Sequence, residues 1–581
     1  MDQETKTCQN CKKDFIIESD DFSFYEKIKV PPPTWCPECR MQRRMTFRNE
    51  RILFRRKCAL CGKDVITMYH LQAQVVVYCN DCWWSDKWDA AEYGIEYDFN
   101  TPFFTQFERL LKKVPRMALE AYQNENSPYS NYTWFGKNIY LSPSTIYSEN
   151  ILYSHGITRC QDSMDCIYIY DSQLCYECID CQKCSNSIFL TDCKECIDCS
   201  FLYDCRGCIN CYMSSNLRNK SYVFKNEELE KIEYERKMKE INFADCRVLS
   251  SCIQEYEVLR TGAIHRFADL FKTVNSTGNS LINAKNAKHC FTCEKIEDVS
   301  YSLRMTEIKD SADLYGVGNG AELLYEGVNV GYRDSLIRFS MNTFEEIRDA
   351  SYCDYCRTSK YIFGCVGLRN KQYHILNKEY SKEKYAEMVK EIESHMNKMP
   401  YIDEKGRIYT FGEFFPPEFS PFAYNESIAQ EYYPSTEKEV VEAKFQWRPS
   451  EKKDYKITKN SDNLPSNIRD VENSIIGETI ECLHKGLCDE QCTTAFKVID
   501  SELQFYRRMH LPLPQLCPNC RHYKRIKYRN PLNVQLWHRK CMCNMKNHEH
   551  FRECSNEFET SYAPDRPEIV YCEQCYQTEV A

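Results

Sequence analysis

No apolar run in the 581-residue chain is long enough to cross a bilayer as a helix, and MDQETKTCQNC does not read as a secretory leader. There is no Gly-rich phosphate loop, no HExxH pair and no framed pair of catalytic carboxylates. These absences exclude the familiar nucleotide-binding and metallohydrolase motifs, so the chain reads as non-enzymatic and cytoplasmic. Ordinary periodicity is missing as well. Through the middle of the chain neither the 3.6-residue recurrence of a helix nor the alternation of a strand accounts for the pattern.

Cysteine is what the chain has in excess, with 37 residues. In a chain read as cytoplasmic, metal thiolate is a better expectation than disulfide. From Thr145 to Leu217 every third residue is Cys, Ser, Thr, Ile or Leu, and the twelve cysteines from Cys160 to Cys211 share that one phase. SIFLTDCKECID (187–198) stands over CSFLYDCRGCIN (199–210), a twelve-residue row. Small residues at every third position suit a narrow β-solenoid whose interior admits no large side chain. The rows resemble the Cys/Ser coils of insect antifreeze solenoids, without the outward Thr-x-Thr array that ice binding requires there.

The ending LRNKSYVFKNEEL (217–229) returns as LRNKQYHILNKEY (368–380), each followed by a charged helical segment. Cys290, Cys293, Cys353, Cys356 and Cys365 share a phase with Leu281, Ile296, Val299, Met305, Ile308, Leu314 and Leu323, while Glu326, Asn329 and Arg338 break it. A tandem duplication follows, and positions that hold Cys in one copy and an aliphatic in the other are filling space. Cys175, Cys178, Cys181 and Cys184 look like an iron–sulfur run, but the phase continues through Ser187 and Leu190, which cannot ligate a cluster. Twelve-residue spacing also lines up Asp180, Asp192, Asp204 and Asn216, and Asp298, Asp310, Glu322, Asp334 and Glu346. Corners that favour Asp and Asn explain these columns better than a cation ladder.

The two ends carry paired cysteines. Cys8, Cys11, Cys36 and Cys39 form one CxxC…CxxC set, and Cys58, Cys61, Cys79 and Cys82 a second, the spacing of structural zinc sites. At the far end Cys488, Cys492, Cys517 and Cys520 repeat the first set, with Cys482 as the rival to Cys488. Cys554, Cys572 and Cys575 repeat the second, with Cys541 or Cys543 as its fourth ligand and His548 and His550 as outside candidates. About four zinc ions per chain are expected. The helix expected after Cys39 carries Arg40, Arg43, Arg44 and Arg48 with Arg51 beside them. The helix after Cys520 carries Arg521, Lys524, Arg525 and Arg529. Residues 36–63 hold nine Lys/Arg against two acids and 517–546 eight against none, so a chain of net charge −9 has basic ends and an acidic middle. These helices contact nucleic-acid phosphates, present a solvated face, or dock on that acidic middle. Trp83, Trp84 and Trp88 are expected to pack the metal module on the helix of 102–116 rather than to stack on bases.

At VPPPTWCPECRMQRRMTFRNER (30–51), LRNKSYVFKNEEL (217–229), EFSPFAYNES (418–427) and SYAPDRPEIVYCEQCY (561–576) the chain resembles an uncharacterised Cys-rich, multi-zinc-module family. Members are sometimes labelled as acyl-CoA transferase relatives. No acylatable Asp in a CoA-binding setting can be picked out, so the resemblance implies architecture and zinc but no catalytic residue.

The expected fold is multidomain and mainly β. It has a double metal module (1–100), a linker helix (101–126), a first solenoid (127–226) and a helical insert (227–277). A second solenoid (278–378), a capping helix (379–400), an aromatic then polar, flexible linker (401–475) and a second double metal module (476–581) follow. The function read from this is a zinc-binding scaffold that presents a solenoid surface to a macromolecular partner, with nucleic-acid binding as the alternative.

Overall fold

The computed structural model describes residues 3–316, 318–449, 455–530, 534–545, 550 and 553–580. His548 lies outside them. The architecture is multidomain, with many strands in sheets, twelve α-helices among the described residues, and cysteine clusters at both ends. No helix among the described residues is long and apolar enough to cross a membrane.

Two parallel stacks form the centre. In the first, a nine-stranded sheet runs from Lys137–Tyr140 to the hairpin at Ser221–Phe224 and Glu227–Glu228. Its neighbours pair parallel at a twelve-residue offset, as in Ile139↔Ile151↔Ser163. The same offset recurs away from this sheet, in Thr133↔Thr145↔Ile157 and in the bridges His155↔Ile167↔Ile179.

The backbone explains the rule of three. Every third residue is left-handed, among them Asn150, Asp162, Asp180, Asp192, Asp204 and Asn216, with φ from 48° to 57°. Asp and Asn tolerate this region better than other non-glycine residues. Their side chains also bond up the stack: Asn126 donates to Asn138, Asn138 to Asn150 and Asn150 to Asp162, each at 2.8 Å. The acidic columns are likewise corner positions, and amide donors reach Asp204 from Asn216 and Asp298 from Asn286.

The next residue in each triplet points inward, and its side chain bonds to the backbone of its own and the following coil. Cys181 Sγ donates to the carbonyls of Ile179 (3.2 Å) and Leu190 (3.5 Å), two residues back and nine ahead. Serine in the same column does the same work: Ser187 Oγ donates to Ser185 and accepts from the Cys199 amide. In the second stack burial pushes the Cys356 and Cys365 thiols well above the ordinary range, so they remain protonated donors. Cys181→Ala should thus cost about 1–2 kcal/mol, from a small void and a lost weak donor, without changing metal content. Cys181→Ser should cost less. Cys178→Glu should prevent folding, since an unpaired carboxylate would be forced inward; thermal melts of the three, beside an exposed Tyr147→Glu control, check this.

The second stack is a ten-stranded sheet from Leu270–Phe271 to Lys378–Glu379. Its register departs from twelve. Ile308 pairs with Ala321, Leu324 with Ile337 and Ile337 with Ala350, thirteen residues each time, before Ala350↔Ile362 restores twelve. Three single-residue expansions make one triplet, which is why Cys353 regains the phase of Cys293. Leu324, not Leu323, faces inward, and Glu322 and Asp334 do not continue the column of Asp298 and Asp310.

Packing crosses between the halves. The first metal module, the second stack and 401–445 share one hydrophobic core, with Phe414, Phe415 and Tyr409 fully buried. The first stack shares another with the cysteines near 482–520. The polar half of 401–475 is docked where it is described: Ser466 accepts from the Cys246 amide and Asn467 bridges to Asp245. Ile468, Val471 and Ile475 are its buried anchors.

Candidate metal centres and the cationic helices

Each metal module is built from knuckles that aim thiols at one point. In the first, the Cys8 amide donates to Lys13 and the Lys12 amide to Cys8, with Lys12 at φ 64°. Gly62 takes that left-handed place in the second knuckle, at φ 76°. Cys36 caps the helix Pro37–Met45, Pro37 fits its first position, and Cys39 lies on its first turn. The Cys36 amide donates to Cys8 Sγ at 3.3 Å and Asn10 Nδ2 to Cys39 Sγ at 3.4 Å. N–H donors to sulfur favour thiolate. Burial pushes the Cys58 thiol up, but the amides of Cys61, Cys79 and Leu60 outweigh it and hold the group at about 6.

Four sets of four thiols have their sulfurs within 4.8 Å of one another: Cys8/Cys11/Cys36/Cys39, Cys58/Cys61/Cys79/Cys82, Cys482/Cys492/Cys517/Cys520 and Cys541/Cys554/Cys572/Cys575. They could hold metal ions. Two of these memberships bear on alternatives left by spacing. Cys482, not Cys488, completes the third set: the Cys517 amide donates to Cys482 Sγ at 3.2 Å, as Cys36 does to Cys8. The knuckle from Cys482 to Cys492 is simply longer than the one from Cys8 to Cys11, which spacing alone hides. Cys541 completes the fourth, receiving the Cys572 amide at 3.2 Å as Cys58 receives that of Cys79. Cys543 is buried beside it, and His550 Nε2 stands 3.5 Å from Cys575 Sγ.

The cationic helices turn inward. Arg40, Arg43, Arg44, Arg48, Arg521, Arg525 and Arg529 are all buried; Lys524 is exposed. Arg40 and Arg44 pair with Asp313 at 2.8 and 3.0 Å, and Arg44 and Arg43 with Glu326 at 2.6 and 2.9 Å. Arg43 also reaches Glu413, and Arg48 pairs with Glu50. At the other end Arg521 and Arg525 pair with Asp165 at 2.7 and 2.8 Å, Arg525 with Glu177 at 2.9 Å and Arg529 with Asp180 at 3.0 Å. The two clamps correspond down to their aromatic lids. Arg521 lies over Tyr153, whose hydroxyl donates to Glu502; Arg40 lies over Tyr301, whose hydroxyl donates to Asp21. The N-terminal module therefore clamps the second stack, and the C-terminal module the first.

The second thiol set of each module joins the opposite entrance. Strand Val77–Tyr78 pairs with Arg116–Met117 ahead of the first stack, and Ile569–Tyr571 with Ile264–Arg266 ahead of the second. Thr67 Oγ1 donates to the Ala118 carbonyl and Thr560 Oγ1 to that of Phe267. Trp83 is buried and donates to Pro115, Trp88 donates to Trp83, and Trp84 is partly exposed.

At the C-terminal joint His265 lies between the Tyr203 and Tyr562 hydroxyls, 2.6 and 3.0 Å from Nδ1, while Nε2 lies 2.8 Å from the Arg260 carbonyl. A neutral ring suits these contacts, with Nε2–H donating to the carbonyl and the single Nδ1 lone pair shared between the two hydroxyls. Burial pushes His265 down to about 4. The unfolded chain takes up the proton near pH 6.5 and the folded one only near 4, so stability falls as pH drops through that window. At most about 3 kcal/mol is involved. Replacing His265 with Gln should flatten the pH dependence of denaturant midpoints between pH 6.5 and 4, relative to the parent chain.

No protein-family model and no curated protein matches the chain. Among solved structures, a protein from Desulfovibrio desulfuricans G20 provisionally described as an acetyltransferase aligns with 52% of this chain and 76% of its own. The identity is 10% and the TM-score 0.11, so the alignment carries no argument.

Proposed function

We propose that this protein is a non-enzymatic, zinc-stapled scaffold whose two stacks are narrow solenoids presenting a surface to a macromolecular partner in the cytoplasm. The observation that carries the reading is the inward docking of both basic helices. Six of the seven buried guanidinium groups pair with carboxylates of the other half's stack, so that each end of the chain grips it. Zinc is supported by geometry. A Zn–S bond of about 2.3 Å gives a tetrahedral sulfur–sulfur edge of about 3.8 Å, and sulfur–sulfur contacts in the four sets are 3.8 Å (Cys11–Cys36), 3.8 Å (Cys61–Cys79), 3.5 and 3.9 Å (Cys517 to Cys520 and to Cys492) and 3.9 Å (Cys554–Cys572). A pair on a knuckle and a pair opening a helix fit a treble clef, and four thiolates leave no vertex for substrate. Recurrence of the twelve-residue offset on successive sides supports solenoid coils.

The nucleic-acid alternative loses seven of its eight contact residues to burial, Lys524 alone staying exposed. It would regain ground only from a salt-resistant complex with DNA or RNA. The partner surface is tested by a photo-cross-linker at Ile197 and Ile209, exposed neighbours in the first stack at 41% each. In cells one discrete macromolecular adduct is expected, absent when the label sits at buried Leu190. No adduct from exposed positions on either stack would sink the scaffold reading.

A further inference from the structure

The long third knuckle does more than return the chain to Cys492. Between Cys482 and Cys492 it carries His484, Cys488 and Glu490, whereas only Gln9 and Asn10 separate Cys8 from Cys11. His484, Cys488, Glu490 and Cys520 bring one ligand atom each within 4.8 Å of the others, a second group that shares Cys520 with the four-thiol set. Cys488 Sγ is 3.7 Å from Cys520 Sγ, while Cys482 Sγ approaches the same sulfur from the first set at 3.9 Å. His484 Nδ1 and Glu490 Oε2 stand 3.2 Å apart, yet both atoms are buried without a hydrogen bond. The other carboxylate oxygen is held by Lys527 at 2.6 Å, which aims the free one at the histidine.

Two buried polar atoms facing each other without a hydrogen bond are costly unless something sits between them and both. The edges fit a metal. Tetrahedral zinc with N and O ligands at about 2.0–2.2 Å has an N–O edge of about 3.3 Å, and with S ligands an S–S edge of about 3.8 Å. We propose that this loop builds a fifth metal site, in which His484, Cys488 and Glu490 hold a second zinc-like divalent ion against the Cys520 thiolate. Cys520 then bridges two ions through its remaining lone pair. The mixed S, N and O donors suit a borderline-soft cation rather than calcium or magnesium.

The proposal rests on the four-zinc reading, and the test separates the two. Native mass spectrometry of the zinc-replete full chain should find five zinc ions. The combined variant His484→Ala, Cys488→Ala, Glu490→Ala should hold four, because Cys482, Cys492, Cys517 and Cys520 remain. In the cobalt-loaded chain, thiolate-bridged ions should show magnetic exchange coupling that the variant lacks. Four zinc ions in both chains, or loss of two from the variant, would overturn the fifth site. Fewer than four in the parent chain would instead strike at the four-zinc reading.

Discussion

Arg44→Met should destabilise the folded chain by about 3–5 kcal/mol, the usual consequence of removing one partner from a buried ionic group. Arg44 touches Asp313 and Glu326, and all three side chains are essentially inaccessible to water. Its loss leaves both carboxylates short of a counter-charge at the contact between the N-terminal helix and the second stack. Arg525→Met should do the same to the C-terminal clamp through Asp165 and Glu177. Urea unfolding gives the magnitudes. Arg44→Met with Glu326→Gln should cost less than the two single changes summed, since the residues share one network. Arg44→Met and Arg525→Met, which belong to separate clamps, should add. A cost within the range of ordinary surface substitutions would mean that these helices do not clamp the stacks.

Cys39→Ser should release one zinc ion and unfold the first knuckle with the start of the following helix. Binding to a structural four-thiolate site is worth about 10–16 kcal/mol at neutral pH, and that free energy is folding free energy for a small module. Cys39 also lies on the first turn of the helix that carries Arg40, Arg43 and Arg44, so metal loss reaches the clamp through one turn of backbone. Cys517→Ser should act likewise at the other end. Cys178→Ala, by contrast, should leave the zinc count unchanged. A protein that kept its zinc content in Cys39→Ser would place the metal elsewhere.

Much of this was legible in the sequence because it depends on local spacing. Cysteine pairs three residues apart reveal knuckles, and an inward column every third residue reveals a triplet backbone, even though left-handed corners were visible only as excess Asp and Asn. Long-range choices were less legible. A helix with arginines four residues apart looks the same whether it faces solvent, phosphate or carboxylates far along the chain such as Asp313 and Glu326. Counting back from Cys492 favoured Cys488, because an insertion inside a knuckle leaves no trace in the spacing beyond it. The thirteen-residue coils were visible only where Glu326, Asn329 and Arg338 broke phase, since three expansions restored it. His265 gave no signal at all: its partners Tyr203 and Tyr562 come from the first stack and from the C-terminal module, far apart in the sequence.

Hydrogen exchange on the parent chain and on Cys39→Ser tests the crossed arrangement most directly. Opening the N-terminal module should release protection in strands Thr306–Tyr315 and Ala321–Val328 of the second stack, which carry Asp313 and Glu326. Strands Gln161–Met164 and Gln173–Tyr176 of the first stack, clamped from the other end, should stay protected. Loss of protection in the first stack with the second unchanged, or no change beyond residue 50, would contradict the account.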